Sequence, residues 1–143
     1  MKKTKTSPPA AESYFTLKEP LRFEGTRYKP SAKRPMGYRW YDPERKVLGK
    51  RMADQLRFAV CYWHSFGYDG LDAFGQETIA RPWLGAGDPM LLAERKTEAA
   101  FELFTKLGAP FFTFHDRDVA PEAATLRESA ARLDRMADVL AAQ

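Results

Sequence analysis

The sequence predicts an α/β fold in which amphipathic helices cover a parallel β-strand. Three segments, at about 50–66, 89–107 and 126–140, carry apolar residues every three or four positions, the spacing that lines one face of a helix. The run at 110–114, between the last two segments, is apolar without alternation, which is typical of a strand buried on both faces. The order helix, strand, helix therefore indicates part of an α/β domain.

Length and composition limit the chain to one domain or part of one. Its 143 residues are 44% apolar and 29% charged, which suffices for one modest core. No apolar run approaches the roughly 18 residues of a membrane span, and the N-terminus lacks the apolar stretch of a secretion signal. A single cysteine, Cys61, and two histidines exclude a disulfide scaffold and a Cys/His zinc site. We therefore expect a cytoplasmic protein with no membrane partner.

Positive charge is concentrated in the first third of the chain. Residues 1–52 hold 14 Lys and Arg against 5 Asp and Glu, whereas residues 53–143 hold 9 against 14. Cations that neutralise phosphates and aromatic rings that stack on bases are typical of nucleic-acid binding, so this function stays open as an alternative. However, prolines and a glycine scatter these charges, and such a run is more often a solvated segment. We prefer a protein that binds no nucleic acid.

The N-terminal part of the chain has weak structural signals. Residues 1–13 contain three lysines and two adjacent prolines but almost no large apolar side chain, so we expect a disordered basic tail. Residues 14–43 are irregular, with one short extended stretch at about 38–41 that Pro43 ends. The folded part is therefore expected to begin at residue 14.

The first helix is predicted from about Lys50 to Phe66. Its apolar face would be formed by Met52, Leu56, Ala59, Val60, Trp63 and Phe66. The second helix has clear signals at both ends, since Asp88 can cap it, Pro89 suits its first position and Gly108 can terminate it.

The third helix is marked by the pair Thr125 and Glu128, whose spacing is that of a capping box. Apolar residues continue along one side of this segment as far as Leu140. We therefore expect a helix over the last part of the sequence.

Four polar residues follow the predicted strand, namely His115, Asp116, Arg117 and Asp118. In α/β folds the side chains that act on ligands gather at the carboxyl ends of strands. The imidazole of His115 can take and return a proton near neutral pH, and the carboxylate of Asp118 can fix its tautomer. Asp116 or Arg117 could instead face outward or bind a partner loop. A hydrogen-bonded turn without chemistry is the alternative, and the spacing by itself names no reaction.

Four blocks of the sequence resemble xylose isomerases of the longer-chain class, which has an extended N-terminus. The blocks are LGKRMADQLRFAVCYWHSF (48–66), DAFGQETIARPW (72–83), KTEAAFELFTKLGAPFFTFHDRDVAPE (96–122) and TLRESAARLDRMADVL (125–140). The likeness extends in order over residues 14–143 and corresponds to the N-terminal third of such an enzyme. It implies a TIM (β/α)8 barrel, of which this chain would form only the N-terminal strands and helices.

The resemblance implies roles for four residues. His115 would open the cyclic sugar by moving a proton between the anomeric hydroxyl and the ring oxygen, and Asp118 would orient its imidazole. Trp63 resembles a tryptophan of the substrate site, whereas helical periodicity alone would place it in the core. Phe74 resembles a phenylalanine that enters the neighbouring subunit's pocket and helps exclude water, with ordinary packing as the alternative.

The implied reaction converts an aldose into a ketose, D-xylose into D-xylulose, by a hydride shift between C2 and C1. In the family two divalent cations, commonly Mg, Mn or Co, polarise the reacting oxygens, and homotetramers are usual. Because the family's metal ligands lie in later strands, the resemblance implies no metal ligand in this chain. We therefore expect a barrel portion that is inactive and aggregation-prone by itself. The alternative is a binding or assembly module that complements a separate C-terminal chain.

Overall fold

Two small sheets and several helices make up the described part of the molecule. The computed structural model describes residues 13–16, 41–71, 73–76 and 78–143. Along the chain the elements are β1 (Lys46–Val47), β2 (Lys50–Arg51), α1 (Met52–Gln55), β3 (Ala59–Cys61), a π-helical turn (Trp63–Gly67), α2 (Pro89–Leu107), β4 (Phe111–Thr113), α3 (Asp116–Val119) and α4 (Leu126–Ala141). Strands β1 and β2 pair antiparallel, whereas β3 and β4 pair parallel. Most of the predicted tail, and all but Tyr41 of the extended stretch at 38–41, lie outside the described residues.

The predicted helix from Lys50 to Phe66 is wrong. The segment is not one continuous helix: Met52–Gln55 forms a short α-helix, Ala59–Cys61 forms β3, and a π-helical turn follows at Trp63–Gly67. A short apolar run fits both the helical and the strand period, so periodicity alone could not decide between them. The parallel ladder with β4 decides, because it satisfies the backbone groups of Ala59–Cys61 through a non-local partner.

Helix α2 begins and ends as predicted. The Asp88 carboxylate accepts hydrogen bonds from the backbone N–H groups of Met90 and Leu91, at 2.8 and 2.9 Å, and Pro89 occupies the first position. At the other end Gly108 has a φ of 66°, the left-handed conformation that glycine adopts without strain. Both predicted signals are therefore confirmed.

Helix α4 is also confirmed, with its predicted capping box. The backbone N–H of Glu128 donates to Thr125 Oγ1 at 3.2 Å, and the backbone N–H of Thr125 donates to Glu128 Oε2 at 3.2 Å. The apolar side of α4 packs through Met136, which is fully buried against Ala93 of α2 and against Ala120. This contact joins the C-terminal helix to the central one.

The main core lies between the parallel strand pair and α2. Its buried members are Tyr62, Phe66, Trp83, Ala99, Ala100, Phe104 and Val119. Phe112 of β4 stacks on Phe104 with the ring centroids 5.0 Å apart, and Trp83 Nε1 donates to the carbonyl of Phe66 at 2.8 Å. Each large apolar side chain buried here contributes about 1.5–3 kcal/mol to stability.

The predicted burial of strand 110–114 on both faces is wrong. The strand itself forms, as Phe111–Thr113, and Phe112 points toward α2. Phe111 and Phe114, however, are 45% and 46% exposed. Phe111 lies on the face of the sheet that α2 does not cover, and in the described stretches no second layer covers that face. Phe114 follows the last residue of β4 and stacks on Phe112, so it lies on the side of α2 but beyond the end of the strand pair. The strand pair therefore keeps an open apolar face.

The short segment at 13–16 is held on α2 by the Glu102 carboxylate. The carboxylate accepts hydrogen bonds from the backbone N–H groups of Tyr14 and Phe15, at 3.0 and 3.3 Å, and from the Ser13 hydroxyl. Lys106 pairs with it at 2.6 Å. Burial acts to raise the pKa of Glu102, but these hydrogen bonds outweigh it and hold the pKa at about 2.

Docking of this segment is therefore expected to depend on acid. The folded pKa of Glu102 lies below its ordinary value of 4.5, so its stabilising contribution is complete above pH 4.5 and is lost as the pH falls through about 2. NMR shifts of the Tyr14 and Phe15 amides between pH 5 and pH 2 would follow this release. Glu102→Gln should remove the acid transition, whereas Asp134→Asn, a loss of the same charge at an exposed position of α4, should leave it in place. An acid transition that persists in Glu102→Gln would contradict this assignment.

Candidate functional site

The carboxyl ends of β3 and β4 bring two parts of the chain to one edge of the sheet. In the parallel register Cys61 lies opposite Thr113, so both strands end at the same level. Trp63 and His115 each follow two residues after these paired positions. Because parallel strands deliver their following residues to the same edge, this edge is the candidate site.

At this edge His115 and Asp118 form a hydrogen-bonded pair. His115 Nδ1 lies 3.0 Å from Asp118 Oδ2, and the His115 backbone N–H donates to the same oxygen at 2.7 Å. The Asp118 side chain is only 5% exposed, whereas the His115 side chain is 79% exposed. A carboxylate at Nδ1 favours the tautomer with its proton there, which leaves Nε2 as the proton acceptor. The predicted pair is thus brought together, with a buried orienting group and an accessible ring.

The short helix α3 explains why these two side chains meet. The chain turns directly after β4, and the Asp118 backbone N–H donates to the carbonyl of His115 at 3.0 Å. The turn therefore points the Asp118 side chain back toward His115. The alternative interpretation, a hydrogen bond that closes the turn, also applies, because the Asp118 carboxylate accepts the His115 backbone N–H. One carboxylate oxygen performs both tasks.

Asp116 and Arg117 face outward, as one of the alternatives anticipated. Arg117 pairs with Glu122 at 2.6 Å, and this hydrogen bond raises the pKa of the Arg117 guanidinium. Asp116 accepts a hydrogen bond from the Arg117 backbone N–H at 2.8 Å. A cleft of about 400 Å³ between α3 and α4 is lined in part by both residues but by neither member of the His115–Asp118 pair. Asp116 and Arg117 thus belong to a separate surface.

Trp63 is exposed at the candidate edge and is not part of the core. The interpretation from helical periodicity alone is wrong, because this residue opens the π-helical turn after β3. Its ring makes an edge contact with His64, with centroids 4.6 Å apart, and a tilted contact with Tyr68 at 6.3 Å. An exposed indole next to a strand end offers an apolar surface to a ligand.

Phe74 lies on a loop that is closed at its base. Thr78 and Ile79 donate backbone hydrogen bonds to the carbonyl of Asp69, at 3.1 and 2.9 Å. Gly70, with a φ of +88°, permits this closure, because a Cβ there would lie 2.1 Å from Thr78 Oγ1. The Phe74 side chain is 98% exposed, so it does not pack in the core. The loop thus presents a phenyl ring at the surface.

A buried layer lies behind the strand ends, and the sequence patterns did not predict it. Tyr62 is fully buried, and its hydroxyl lies 3.2 Å from Thr97 Oγ1 on α2. Burial raises the pKa of Tyr62 to about 12; the Thr97 hydrogen bond acts to lower it and the charge of Asp118 acts to raise it. Lys96, beside Thr97, lies over the Tyr62 ring. No local signal pointed to these residues, because they meet only when α2 packs behind the strands.

Residues 13–16, 41–71, 73–76 and 78–143 contain neither a metal-binding group nor a membrane-spanning helix. Within those stretches no three His, Cys, Asp or Glu side chains form a group that could hold a metal ion. No helix there combines the length and the apolar character needed to cross a bilayer. The candidate site therefore consists of the imidazole, its carboxylate and the neighbouring aromatic rings.

A parallel strand pair with an imidazole–carboxylate pair at its carboxyl edge defines a protein of the α/β class, in which chemistry takes place at strand ends. No family model matches the chain. The chain is 52% identical over 128 residues to a xylose isomerase of Burkholderia vietnamiensis (strain G4 / LMG 22486) and to one of Burkholderia cenocepacia (strain HI2424). It is 49% identical over 129 residues to a xylose isomerase of Paraburkholderia phytofirmans (strain DSM 17436 / LMG 22146 / PsJN). The resemblance to xylose isomerases is therefore confirmed.

Each match covers most of this chain but only a small part of the relative. They cover 90% of this chain but only 28% of the length of each relative. The chain thus corresponds to a part of such an enzyme.

Proposed function

We propose that this chain forms the sugar-ring-opening part of a xylose isomerase, an aldose–ketose isomerase that converts D-xylose into D-xylulose. The observation that carries the proposal is the hydrogen bond between His115 and the buried carboxylate of Asp118, at the carboxyl edge of a parallel strand pair. The 52% identity to a xylose isomerase over 128 residues supports the same reading.

In this role His115 moves one proton. Its Nε2 takes the proton of the anomeric hydroxyl and returns it to the ring oxygen as the bond between C1 and that oxygen breaks, so that no proton is gained or lost overall. Asp118 accepts the Nδ1 proton and keeps the ring in the orientation that presents Nε2. The buried position of the carboxylate supports this, because a fixed acceptor holds one tautomer.

Two aromatic residues complete the proposed sugar site. Trp63 forms an apolar wall beside the sugar, which fits its exposed ring at the strand end. Phe74 enters the pocket of a neighbouring subunit in a homotetramer and helps exclude water there. The closed loop that exposes its ring supports this role. The assembled enzyme would act in the cytoplasm.

The later hydride shift of a xylose isomerase is expected to use two divalent cations, Mg, Mn or Co. The described residues do not fit such a site, since no three potential ligands among them form a group. The step assigned to His115 needs no metal ion, because it transfers only a proton.

The strand pair fits a portion of a TIM barrel. Phe111 and Thr113 lie on the face of β4 opposite Phe112, which packs toward α2. In a closed barrel the first face would point into the barrel interior and α2 would belong to the outer helical layer. Exposure of Phe111 in this chain supports the proposal, because such a face becomes buried only when further strands are added.

A chimeric enzyme tests the proposal. The matched segment of the Burkholderia vietnamiensis xylose isomerase is replaced by the corresponding residues of this chain, and conversion of xylose is measured with the cations present. We expect isomerase activity of the same order as that of the parent enzyme, and no activity from this chain alone. A folded, cation-loaded chimera that fails to convert xylose would overturn the proposal.

A second candidate function is an assembly module that complements a separate C-terminal chain. The open face of the strand pair favours it, because Phe111 on that face is 45% exposed. The two functions can be distinguished by mixing this chain with a second polypeptide. That polypeptide consists of the Burkholderia vietnamiensis xylose isomerase without the segment that matches this chain. Recovery of activity on mixing favours the module, whereas activity only in the covalent chimera favours the first proposal.

A further inference from the structure

The π-helical turn that carries Trp63 ends on carbonyl groups that bind donors from elsewhere in the chain. The last carbonyl groups of a helical turn have no partner within the turn itself. The indole N–H of Trp83 donates to the carbonyl of Phe66 at 2.8 Å. The Nε–H of Arg81 donates to the carbonyl of Tyr68, the residue that ends the turn, at 2.9 Å. A later segment of the chain thus completes the end of the turn.

The Arg81 side chain is held in one orientation by the ring beside it. Its guanidinium carbon lies 5.6 Å from the centroid of the Trp83 ring, which is buried. That ring is itself fixed by its hydrogen bond to the Phe66 carbonyl. A cation–π contact gains strength when it is desolvated, and a hydrogen bond from a charged donor is stronger than one from a neutral donor. Arg81 is half-buried, so we expect its hydrogen bond to Tyr68 to persist.

The same hydrogen bond extends the base of the exposed loop that follows the turn. The Asp69 carbonyl accepts the backbone N–H groups of Thr78 and Ile79, at 3.1 and 2.9 Å. Arg81 binds the carbonyl of Tyr68, the residue before Asp69, from the same returning segment. The end of the turn and the base of the loop therefore form one hydrogen-bonded unit.

The Tyr68 ring connects this unit with the candidate site. Its centroid lies 6.3 Å from that of the Trp63 ring, with an angle of 42° between the ring planes. The Trp63 residue is 44% exposed, so its indole is not enclosed by core side chains and its orientation depends on the few rings beside it. A shift of the Tyr68 backbone would therefore carry the Tyr68 ring away from the indole.

We infer that Arg81 is a positioning residue, whose hydrogen bond to the Tyr68 carbonyl holds the Tyr68 ring against the Trp63 indole and so fixes the aromatic wall of the candidate site. Without this bond the Tyr68 carbonyl loses its described donor and must bind water instead. The ring then moves with its backbone, and the indole loses a neighbour. The link from this aromatic pair to sugar binding rests on the proposed function.

The first test measures the two rings by NMR in the full 143-residue chain. In the unaltered chain we expect NOE cross-peaks between the Tyr68 and Trp63 rings. Arg81→Met, which keeps an unbranched apolar stem but donates no hydrogen bond, should lose these cross-peaks. It should also raise the hydrogen-exchange rates of the Thr78 and Ile79 amides about tenfold. Arg81→Lys, which can still donate to a carbonyl, should keep the cross-peaks.

Arg57→Met is the matched control for this test. Arg57 also places its guanidinium over an aromatic ring, with its Cζ 5.9 Å from the centroid of Phe111. Its replacement removes the same charge and the same kind of ring contact, and it should change neither the cross-peaks nor the exchange rates. Equal results for Arg81→Met and Arg57→Met would overturn the inference. Arg81→Leu provides a second variant without a donor should Arg81→Met not fold.

The second test uses the chimeric isomerase with its cations bound. Arg81→Met is expected to raise KM for xylose about tenfold and to change kcat little, because an apolar wall contacts the sugar in the ground state and in the transition state alike. Arg81→Lys should restore the lower KM. A fall in kcat at unchanged KM, or unchanged values of both, would overturn the inference. If the unaltered chimera is inactive, the proposed function fails, and the NMR cross-peaks still decide whether Arg81 positions the two rings.

Discussion

Replacement of His115 by Asn in the chimeric isomerase is expected to slow conversion of cyclic D-xylose by about 10²–10⁴-fold, the usual loss when a general acid–base group is removed. The physical reason is that ring opening requires a proton transfer from the anomeric hydroxyl to the ring oxygen, and no other imidazole is paired with a carboxylate in the described residues. An aldose too short to cyclise, such as glyceraldehyde, should be converted at a nearly unchanged rate. Steady-state kinetics on both substrates measure the difference.

His64→Asn is the matched control for this prediction. His64 is the other histidine of the chain and follows the neighbouring strand, and its described ring contact is with Trp63. Its replacement should affect both substrates to the same small extent. A His115 variant that loses equal activity on cyclic and open substrates would remove the ring-opening role.

Replacement of Asp118 by Asn is expected to produce the second largest effect, a loss of about 10–100-fold on cyclic xylose, typical of groups that orient a functional side chain. An asparagine whose oxygen stays on the His115 backbone N–H offers Nδ1 a neutral amide oxygen in place of a carboxylate, a weaker acceptor that holds the Nδ1–H tautomer less firmly. The loss should be smaller than that of His115→Asn if Asp118 only positions the ring. Asp116→Asn changes the same charge at an exposed position of α3 and should cause little loss.

The Asp118 prediction has a separate structural readout. Asp118 Oδ2 also accepts the His115 backbone N–H at 2.7 Å, so the turn after β4 depends on the same oxygen. An asparagine side-chain oxygen can keep that backbone bond, whereas alanine cannot. Thermal unfolding should therefore separate Asp118→Asn, with little change in stability, from Asp118→Ala, with a loss of about 1–3 kcal/mol. Equal activities of the Asp118→Asn variant and the unaltered chimera would contradict the orienting role.

The double role of the Asp118 carboxylate unites two interpretations that the sequence left open. A turn-closing hydrogen bond and an orienting hydrogen bond first stood as alternatives. The structure has both, because a short helix after β4 places one oxygen within reach of the backbone and the ring of the same residue. A site that shares its orienting group with a backbone turn gains rigidity, since ring and strand end cannot move independently.

The open face of the strand pair is the feature most closely connected with the incomplete match to the relatives. Phe111 on this face is about half exposed, although the apolar pattern of its segment predicts burial on both faces. The chain spans 28% of the length of the xylose isomerases it matches. An apolar strand face of this kind is stable in water only when further structure covers it. The apolar pattern of 110–114 therefore fits the proposed barrel portion, in which further strands would cover this face.

Local features could be predicted well from the sequence. Asp88, Pro89 and Gly108 bracket α2, and Thr125 with Glu128 begins α4, because caps act through hydrogen bonds between residues two to four positions apart. The meeting of His115 and Asp118 belongs to the same kind, since both lie in one turn. Interactions of this range depend on neighbouring residues alone, so their signals are present in the order of the residues.

Only the tertiary structure decided how the remaining residues are used. Ala59–Cys61 became a strand in place of part of a helix because its backbone groups pair with β4, far along the chain. The same pairing exposed Trp63 at the candidate edge, and the packing of α2 behind the strands brought Lys96 over the Tyr62 ring. A short apolar run is compatible with either period, and the free energy that selects between them comes from non-local hydrogen bonds and burial that no local pattern contains.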